Sequence, residues 1–509
     1  MSNEDRSSGR AAHVWETARV HASTAFVGGL VLVLTGFTPE HWVANAFHAL
    51  QLPEGLFSRW PSSLDPRLIV VLLGIAIIVA DVLWRRHRTQ GAPQVQSVDS
   101  RRAAEPRSSS PLALPDKPSI AVLPFTNLSG DSDQEYLADG IVDDVITALS
   151  QVSSLFVVAR NSSFKFKGKN SDAREVGQQL GVRYLLEGSV RRSGERLRVS
   201  AQLVDSADGC HVWAERFERR FQDIFDIQDE LTKEIVTALR IRLTDGEQAS
   251  LWLRSTNNVE AWGYAMRGAD HIWRSTAADN AEARVLLEQA VACDPGYAKA
   301  TALIAHTHYL DLRFNYSSSR AESGQKLAHF ASRALELDPE EPYALLVQGL
   351  SDSVEGRFAA AIEGVNRAVA KSPSDAFGWL CLARVLVIDE RPEEGEKAIR
   401  HAMRLNPFYP VNYLTLLANA LLDQGKTQDA FAAFKEAVSR QPNYMTVHLY
   451  LATLYSSLGQ MDAARAEVAT VLRLDPKYRL AAASSFYLSS NEERKRAFLE
   501  NLRRAGLPE

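Results

Sequence analysis

Residues 407–442 read PFYPVNYLTLLANALLDQGKTQDAFAAFKEAVSRQP, a stretch rich in Ala and Leu between two prolines. Small residues recur within it at Ala418, Gly425, Ala430 and Ala437. Small side chains at such positions permit close contact between helices. The stretch therefore predicts a pair of packed helices.

The same punctuation recurs along the second half of the chain. Prolines preceded by Asp, Ser, Asn or Gln stand at 295, 339, 373, 407, 442 and 476, at intervals of 44, 34, 34, 35 and 34 residues. A period of 34 residues is that of the tetratricopeptide repeat, whose helix pair must stack on its neighbours to bury its apolar face. We expect five to six repeats within 259–509, closed by a carboxy-terminal cap from Tyr478 onward. Roughly ten extra residues of the longest interval are expected between the two helices of one repeat, within 312–324.

The repeat register also predicts a binding surface. Arrays of this kind bind extended peptides or helices on the inner face that the first helix of each repeat forms. In this register four polar residues point into the groove, namely Arg384, Asn412, Thr415 and Asn419. Their polarity suits contacts with a peptide backbone or a carboxylate, so we predict that they bind a protein or peptide partner. The alternative is a solvated inner face without a dedicated ligand.

Residues 118–140, PSIAVLPFTNLSGDSDQEYLADG, open a region of different texture. Short apolar runs predict strands at 120–125, 155–159, 184–190, 197–205 and 211–219. Helical spacing predicts helices at 135–151, 173–180 and 223–243. The order β-α-β-α-β-β-β-α predicts a mixed α/β sandwich domain over 118–245.

Four segments of this region together resemble one known domain: 118–150, VVARNSSFKFKGK at 157–169, 179–219, and DIFDIQDE at 223–230. They are similar to the TolB amino-terminal-like (FlgO-like) domain of bacterial multidomain regulators. The resemblance covers about Lys117 to Asp245. It implies a domain that often lies between an amino-terminal effector, such as a class III adenylate cyclase or a winged-helix DNA-binding domain, and a tetratricopeptide array. It implies no catalytic residues.

The loop that opens this domain has the strand, loop and helix order of many phosphate and metal sites, but not their residues. LSGDSDQEYLADG, at 128–140, lacks the GxxxxGK[ST] spacing of a phosphate loop and the Gly and Glu positions of a calcium loop. Phe225-Asp226-Ile227 is the nearest match to the metal-binding segment of a class III cyclase, without its spacing or Gly. We therefore expect no catalytic, cofactor-binding or metal-binding residue and no small-molecule substrate. The acidic and Ser residues are interpreted as helix caps.

Two further patterns leave alternatives open. The segment ARNSSFKFKGKN, at 159–170, alternates lysines with aromatics as along one edge of an extended chain. It suits a phosphorylated ligand or an acidic peptide, or else a solvated loop or edge strand. The HxH pair at His306 and His308 lacks a third metal ligand, so we interpret it as ordinary helix surface.

The first ninety residues predict a membrane anchor. Within 1–88, apolar segments at about 22–37 and 68–84 are each near the lower length limit of a transmembrane helix. RRHR follows the second segment directly, so the positive-inside rule places the rest of the chain in the cytoplasm. Residues 89–117 are polar and rich in Pro and Ser, which predicts a flexible linker. The predicted location is the inner (cytoplasmic) membrane.

These patterns predict a membrane-anchored multidomain protein, with a mixed α/β sandwich domain followed by an all-α tetratricopeptide solenoid. A net charge of -5 and a pI near 6.2 argue against nucleic acid as a partner. The predicted function is a non-enzymatic, membrane-tethered scaffold for protein interaction or signalling. The alternatives are the regulatory part of a class III adenylate cyclase system without its own catalytic site, and a nucleotide-sensing α/β domain.

Overall fold

The computed structural model describes residues 112–169, 171–244, 247–248, 255–274 and 276–509, which belong to one compact unit of the chain, 107–509. The two predicted membrane spans, and most of the predicted linker, lie outside the described residues. Within the described ranges, no helix combines the length and the apolar character that crossing a bilayer requires.

A mixed sheet of six strands forms the first folded region. Its strands are β1 (Ser119–Val122), β2 (Thr126–Asn127), β3 (Phe156–Val157), β4 (Tyr184–Ser193), β5 (Arg196–Asp205) and β6 (His211–Arg220). Their order is β3-β1-β4-β5-β6, with β2 paired to β4. The pairs β1-β3 and β1-β4 are parallel, whereas β4-β5 and β5-β6 are antiparallel. The five predicted strands are confirmed, and β2 is an addition.

Helices cover both faces of this sheet. They are α1 (Glu135–Ser150), α2 (Arg160–Ser163), α3 (Ala173–Leu180) and α4 (Ile224–Ala238). Helices α1 and α4 share an apolar core with Ile120 and Leu186, while α3 shares another with Ala121 and Leu185. Because successive strand residues point to opposite faces, these two cores lie on opposite sides of one sheet. The region is therefore an α/β sandwich.

The segment 159–170 is not the extended chain that its alternating residues suggested. Helix α2 and a 3₁₀ turn at Phe164–Phe166 occupy most of it. Lys167 Nζ lies 2.6 Å from Asp139 Oδ2 and 2.9 Å from Glu135 Oε1, both on α1. The lysine is thus paired within its own domain, and the helical backbone prevents alternate side chains from lining an edge.

The second half of the described chain is an array of helix pairs. Six pairs follow one another: α5 (Val259–Arg274) with α6 (Ala277–Cys293), α7 (Ala298–Phe314) with α8 (Arg320–Leu337), α9 (Pro342–Val354) with α10 (Phe358–Lys371), α11 (Ala376–Ile388) with α12 (Pro392–Leu405), α13 (Val411–Asp423) with α14 (Thr427–Arg440), and α15 (Met445–Ser457) with α16 (Met461–Leu474). Helices α17 (Leu480–Phe486) and α18 (Glu492–Arg504) follow, and α18 packs against α15. The array thus reaches the upper repeat number expected from the sequence.

Close contact at the predicted small residues holds each pair together. A Cβ atom added to Gly349 would lie 2.5 Å from Val365 Cγ2, and one added to Gly395 would lie 2.6 Å from Val387 Cγ2. Ala361 is completely buried at the same contact. A Cβ atom at these distances would overlap the neighbouring valine, so Gly349 and Gly395 have to be glycine, whereas the small Ala361 fits at the same contact.

The extra residues of the 44-residue interval mostly lengthen helices. Helices α7 and α8 have 17 and 18 residues, whereas α9 and α10 of the next pair have 13 and 14. Only 315–319 connect α7 to α8. The prediction that the extra residues lie between the two helices is therefore wrong for most of them. Much of the polar segment belongs instead to the end of α7 and the start of α8.

Turns of the repeat array also bind the α/β region directly. Ser374 Oγ donates a hydrogen bond to Leu155 O at 3.1 Å, and Ala159 N donates one to Leu405 O at 2.9 Å. On α5, the Trp262 indole Nε1 donates to Asp144 Oδ2 of α1 at 2.6 Å. These buried bonds tie the two regions into one packed body.

Candidate functional site in the inner groove of the repeats

The four residues predicted to line the groove lie around one cavity of ≈ 90 Å³. Arg384 is on α11, and Asn412, Thr415 and Asn419 are on α13. Helices α11 and α13 are each the first helix of their pair, so successive repeats present these side chains to the same inner surface. Their role in binding a partner stays a prediction.

The four side chains differ in whether they form hydrogen bonds within the folded chain. Thr415 is buried, and its Oγ1 donates to Asn412 O at 2.9 Å. The Asn412 side-chain oxygen is buried without a hydrogen-bond partner among the described residues. Asn419 is hydrogen-bonded to Tyr450 of α15. Asn412 and the partly buried Arg384 are therefore the groups with unused bonding capacity.

Sequence reasoning missed two contributors to this cavity. One is α7, which supplies Tyr309, Leu312 and Arg313 to the lining. Helix α7 belongs to the helix pair within the 44-residue interval, where the 34-residue register could not predict which residues face the groove. The other is a carboxy-terminal segment, residues 485–491 (SFYLSSN), which we call the C-terminal strap.

The C-terminal strap lies across the groove and is held by hydrogen bonds with side chains and one backbone carbonyl of the array. Arg320 Nη2 donates to Ser485 O at 3.2 Å at one end. At the other end, Ser490 N and Ser490 Oγ each donate to Ile388 O, both at 3.0 Å. Asn491 Nδ2 then donates to Glu390 Oε1 at 2.7 Å. The strap therefore connects α8 with the end of α11.

Aromatic contacts hold the middle of the strap. The Arg313 guanidinium carbon lies 4.2 Å from the centre of the Phe486 ring, a cation–π contact. The Tyr487 ring stacks on Phe498 of α18 with centroids 4.1 Å apart and planes 13° apart. Tyr450 contacts both strap aromatics, at centroid distances of 6.2 Å and 6.4 Å. The groove thus already contains a segment of this chain, which is helical up to Phe486 at the end of α17 and non-helical from Tyr487 to Asn491.

Positive charge dominates the cavity. Arg313, Arg320, Arg384 and Arg494 line it, and no Asp or Glu is among its lining residues. Arg320 donates to two carbonyl oxygens, Leu312 O and Ser485 O. Arg494 forms an ion pair with Asp423 of α13. The other three arginines of the cavity form no ion pair among the described residues.

Arg313 and Arg384 face this cavity without a counter-charge among the described residues. The Nη1 atom of Arg313 is buried and has no hydrogen-bond partner there. Burial, and then the like charge of Arg384, lower the pKa of the Arg313 guanidinium. Burying a guanidinium without compensation is costly, so the groove favours a negatively charged or strongly accepting group.

The HxH pair lies elsewhere and is not helix surface. His306 and His308 are both buried, each with 3% of its surface exposed. His306 Nδ1 is 2.6 Å from the hydroxyl of Tyr343, and burial lowers the pKa of His306 to about 4. His308 stacks on Phe330. The prediction of an exposed pair is wrong because both sides of the long helix α7 are covered by neighbours. No group of metal ligands occurs among the described residues.

The opening loop of the α/β region is a cap, as predicted. Asp131 Oδ1 accepts a hydrogen bond from Asp133 N at 2.9 Å and so caps the short 3₁₀ helix Ser132–Gln134. Asp133 and Glu135 lie in the first turns of the two helices that follow. Carboxylates are favourable there because helix amino termini carry partial positive charge.

Comparison with family models supports the two regions separately. Residues 421–484 match the model of the tetratricopeptide repeat. Residues 116–237 match the model described as HilA/YgeH-like transcriptional regulator, second domain. The second half of the chain is thus a tetratricopeptide-type helical array that follows an α/β sheet region. The TolB resemblance of that region stays a prediction.

Two curated proteins are similar to parts of the chain. "Putative adenylate cyclase 3" of Rhizobium meliloti (strain 1021) is 46% identical over 240 residues, which are 47% of this chain and 40% of that protein. "Cellulose synthase operon protein C" of Pseudomonas fluorescens (strain SBW25) is 24% identical over 244 residues, which are 47% of this chain and 19% of that protein. The chain therefore spans less than half the length of each of these relatives.

Solved structures give only distant likenesses. PilF of Pseudomonas aeruginosa is 17% identical with a TM-score of 0.32, covering 43% of this chain and 93% of that one. A thermophilic tetratricopeptide protein of Thermus thermophilus is 24% identical with a TM-score of 0.31, covering 36% and 98%. TolB of Acinetobacter baumannii is 21% identical with a TM-score of 0.19, covering 25% and 29%. Scores this low carry no argument about function.

Proposed function

We propose that this protein is a membrane-tethered interaction scaffold whose repeat array binds an extended segment of a protein partner in the inner groove. The observation that supports the proposal is the C-terminal strap, a segment of this chain in which Ser490 bonds to Ile388 O and aromatic side chains pack between helices. Arg384, Asn412, Thr415 and Asn419 line the same groove and would contact the partner.

A partner segment would compete with the strap. The bonds of Ser490 to Ile388 O join neutral groups and are each worth a net of about 1 kcal/mol, whereas the bonds to Arg320 and Glu390 involve a charged group and are each worth about 1.5–3 kcal/mol. The strap's aromatic rings are only partly buried. A segment of another protein must also offset its loss of translational and rotational freedom, so it needs contacts that the strap lacks. A segment that also carries a carboxylate would gain the unpaired charge of Arg384 and would bind more strongly than the strap.

Crosslinked affinity purification from cells tests this proposal. The full chain is compared with a double variant, Arg384→Ala plus Asn419→Ala, and with a control variant, Arg367→Ala, whose side chain forms an exposed ion pair with Glu340 outside the groove. The double variant should lose a partner that the control retains. Equal recovery of every crosslinked protein by all three chains would rule out the groove.

The membrane tether forms the second part of the proposal. The apolar segments at about 22–37 and 68–84, followed by RRHR, would hold both folded regions on the cytoplasmic side of the inner membrane. A reporter fused after Lys117 tests this topology. Cytoplasmic activity of the reporter is expected, and activity only on the outer side would refute it.

The TolB-like assignment of the α/β region and a link to cyclase signalling form a second candidate function. The relative named as an adenylate cyclase is the observation that favours the link, since its similarity extends over nearly half of this chain. On this reading the α/β region and repeats regulate a class III cyclase system without catalysing the reaction. Purified chain should then produce no cyclic AMP from ATP, and measured synthesis would refute the non-enzymatic role.

A further inference from the structure

The cavity beneath the C-terminal strap has the composition of a ligand site rather than of a packing defect. A void left by imperfect packing is lined by apolar groups and stays empty. Here the lining contains Arg313 and Arg384 without a carboxylate, and the Nη1 atom of Arg313 is buried without a hydrogen-bond partner among the described residues. Unsatisfied buried groups of this kind call for a partner that the folded chain does not supply.

The charges define the ligand's polar end. Arg313 and Arg384 lie close enough for the charge of one to lower the pKa of the other. Such a pair of like charges is stabilised by an anion that accepts hydrogen bonds from both guanidinium groups. The Arg313 Nη1 atom offers one unused donor directly.

The remaining walls define the ligand's other end. Apolar side chains from four helices or their connections contribute to the cavity, namely Leu312, Val354, Val387 and Leu416. They would exclude a fully hydrated inorganic ion but would accept a short hydrocarbon body. A volume of ≈ 90 Å³ restricts that body to a few carbon atoms.

We propose that this cavity binds a small carboxylic acid, with its carboxylate between Arg313 and Arg384 and its short apolar body against Leu312 and Val387. Both arginine residues are partly exposed to solvent. The site therefore goes beyond the proposed partner binding, and it exists whether or not a protein partner does. The strap and the ligand contact the same arginine, because the Arg313 guanidinium also forms the cation–π contact with the Phe486 ring.

Calorimetric titration of the purified full chain with butyrate tests the site, with inorganic phosphate as the second probe. Butyrate should bind once per chain, and more tightly than phosphate. Arg313→Gln and Arg384→Gln should each weaken butyrate binding by about tenfold to a hundredfold, since each removes a charge-assisted hydrogen bond. Arg333→Gln is the control, because its side chain pairs with Glu336 on the exposed face of α8, and it should leave the affinity unchanged.

Thermal unfolding shows whether the arginine variants are still folded, so that a loss of binding can be assigned to the site. Without ligand, Arg384→Gln should unfold at the same or a higher temperature than the natural chain, because it removes a partly buried charge that has no counter-charge among the described residues. Butyrate should then raise the midpoint of the natural chain and of Arg333→Gln but not of Arg384→Gln. Absence of butyrate binding, tighter binding of phosphate, or equal binding by the arginine variants would each overturn the proposal. Loss of protein-partner capture alone would leave it standing.

Discussion

Replacing Tyr487 by Ala should release the C-terminal strap while the repeats stay folded. The Tyr487 ring stacks on Phe498 at 4.1 Å, and an aromatic pair of this kind contributes about 1 kcal/mol. The ring is only partly buried, so its transfer to water adds roughly another 1 kcal/mol. The strap should therefore lose about 2 kcal/mol, which raises its open fraction roughly thirtyfold.

Hydrogen exchange of the purified full chain measures this opening directly. The amide of Ser490 is protected by its bond to Ile388 O, and it exchanges only when the strap leaves the groove. Its exchange should accelerate roughly thirtyfold in Tyr487→Ala. Amides in the middle of α13 should not change, because they belong to the array and not to the strap.

A matched control uses a second stacked tyrosine outside the strap. Tyr409 stacks on Tyr413 with centroids 5.7 Å apart, and Tyr409→Ala should leave the exchange of Ser490 unchanged. Unchanged exchange of Ser490 in Tyr487→Ala would show that the strap is not held as described. Acceleration that spreads evenly through α13 and α15 would also refute the reasoning, because it would make the strap part of one cooperative unit with the repeats.

Three further predictions concern the packing of the array. Burial lowers the pKa of His306 to about 4. Between about pH 6.5 and 4 the unfolded chain therefore binds a proton at this residue that the folded chain does not bind. The free energy of unfolding should fall as the pH falls through this window, by up to about 3 kcal/mol. Urea unfolding at several pH values should show this slope, and His306→Phe should flatten it. Trp262→Phe removes the indole donor to the half-buried Asp144 carboxylate and should cost about 1–3 kcal/mol in urea unfolding; an unchanged midpoint would contradict that bond. Gly349→Ala places a methyl group 2.5 Å from Val365 Cγ2 and should destabilise by about 1–3 kcal/mol, so a variant as stable as the natural chain in thermal unfolding would contradict the close packing.

The features that sequence predicted well are those with a repeated or alternating signal. The proline period and the small residues within it, such as Gly349, follow from helix pairs that must approach to the contact distance of their backbones. Strands β1 and β3 follow from short apolar runs, because a strand covered on both faces must be apolar along its length. Local caps such as Asp131 follow from adjacent residues alone.

The features that sequence missed depend on contacts between distant parts of the chain. The C-terminal strap is polar and aromatic without a period, and it is ordered by groups such as Ile388 O that lie about a hundred residues earlier. His306 is buried by helices on both sides of α7, which its own sequence does not reveal. Residues 160–166 are helical, and Lys167 is paired with Asp139 of α1 rather than aligned along a strand edge.

The candidate site was predictable in part for the same reason. Arg384, Asn412, Thr415 and Asn419 occupy repeated positions, and the structure brings all four around one cavity. Arg313 comes from the irregular repeat, and its charge matters only because Arg384 and the strap lie nearby. A period can place residues on a groove, but it cannot show that the groove is already occupied.

The most direct test of the central claim is a peptide-binding measurement. A fluorescent peptide with the strap sequence SFYLSSN is titrated with the full chain carrying Tyr487→Ala, and its anisotropy is recorded. The groove should bind the peptide saturably, and adding Arg313→Ala and Arg320→Ala should weaken that binding by about tenfold or more, because both arginines contact the strap. Absence of saturable binding, or equal affinity with and without the groove substitutions, would contradict the claim that the inner groove is a site for extended peptides.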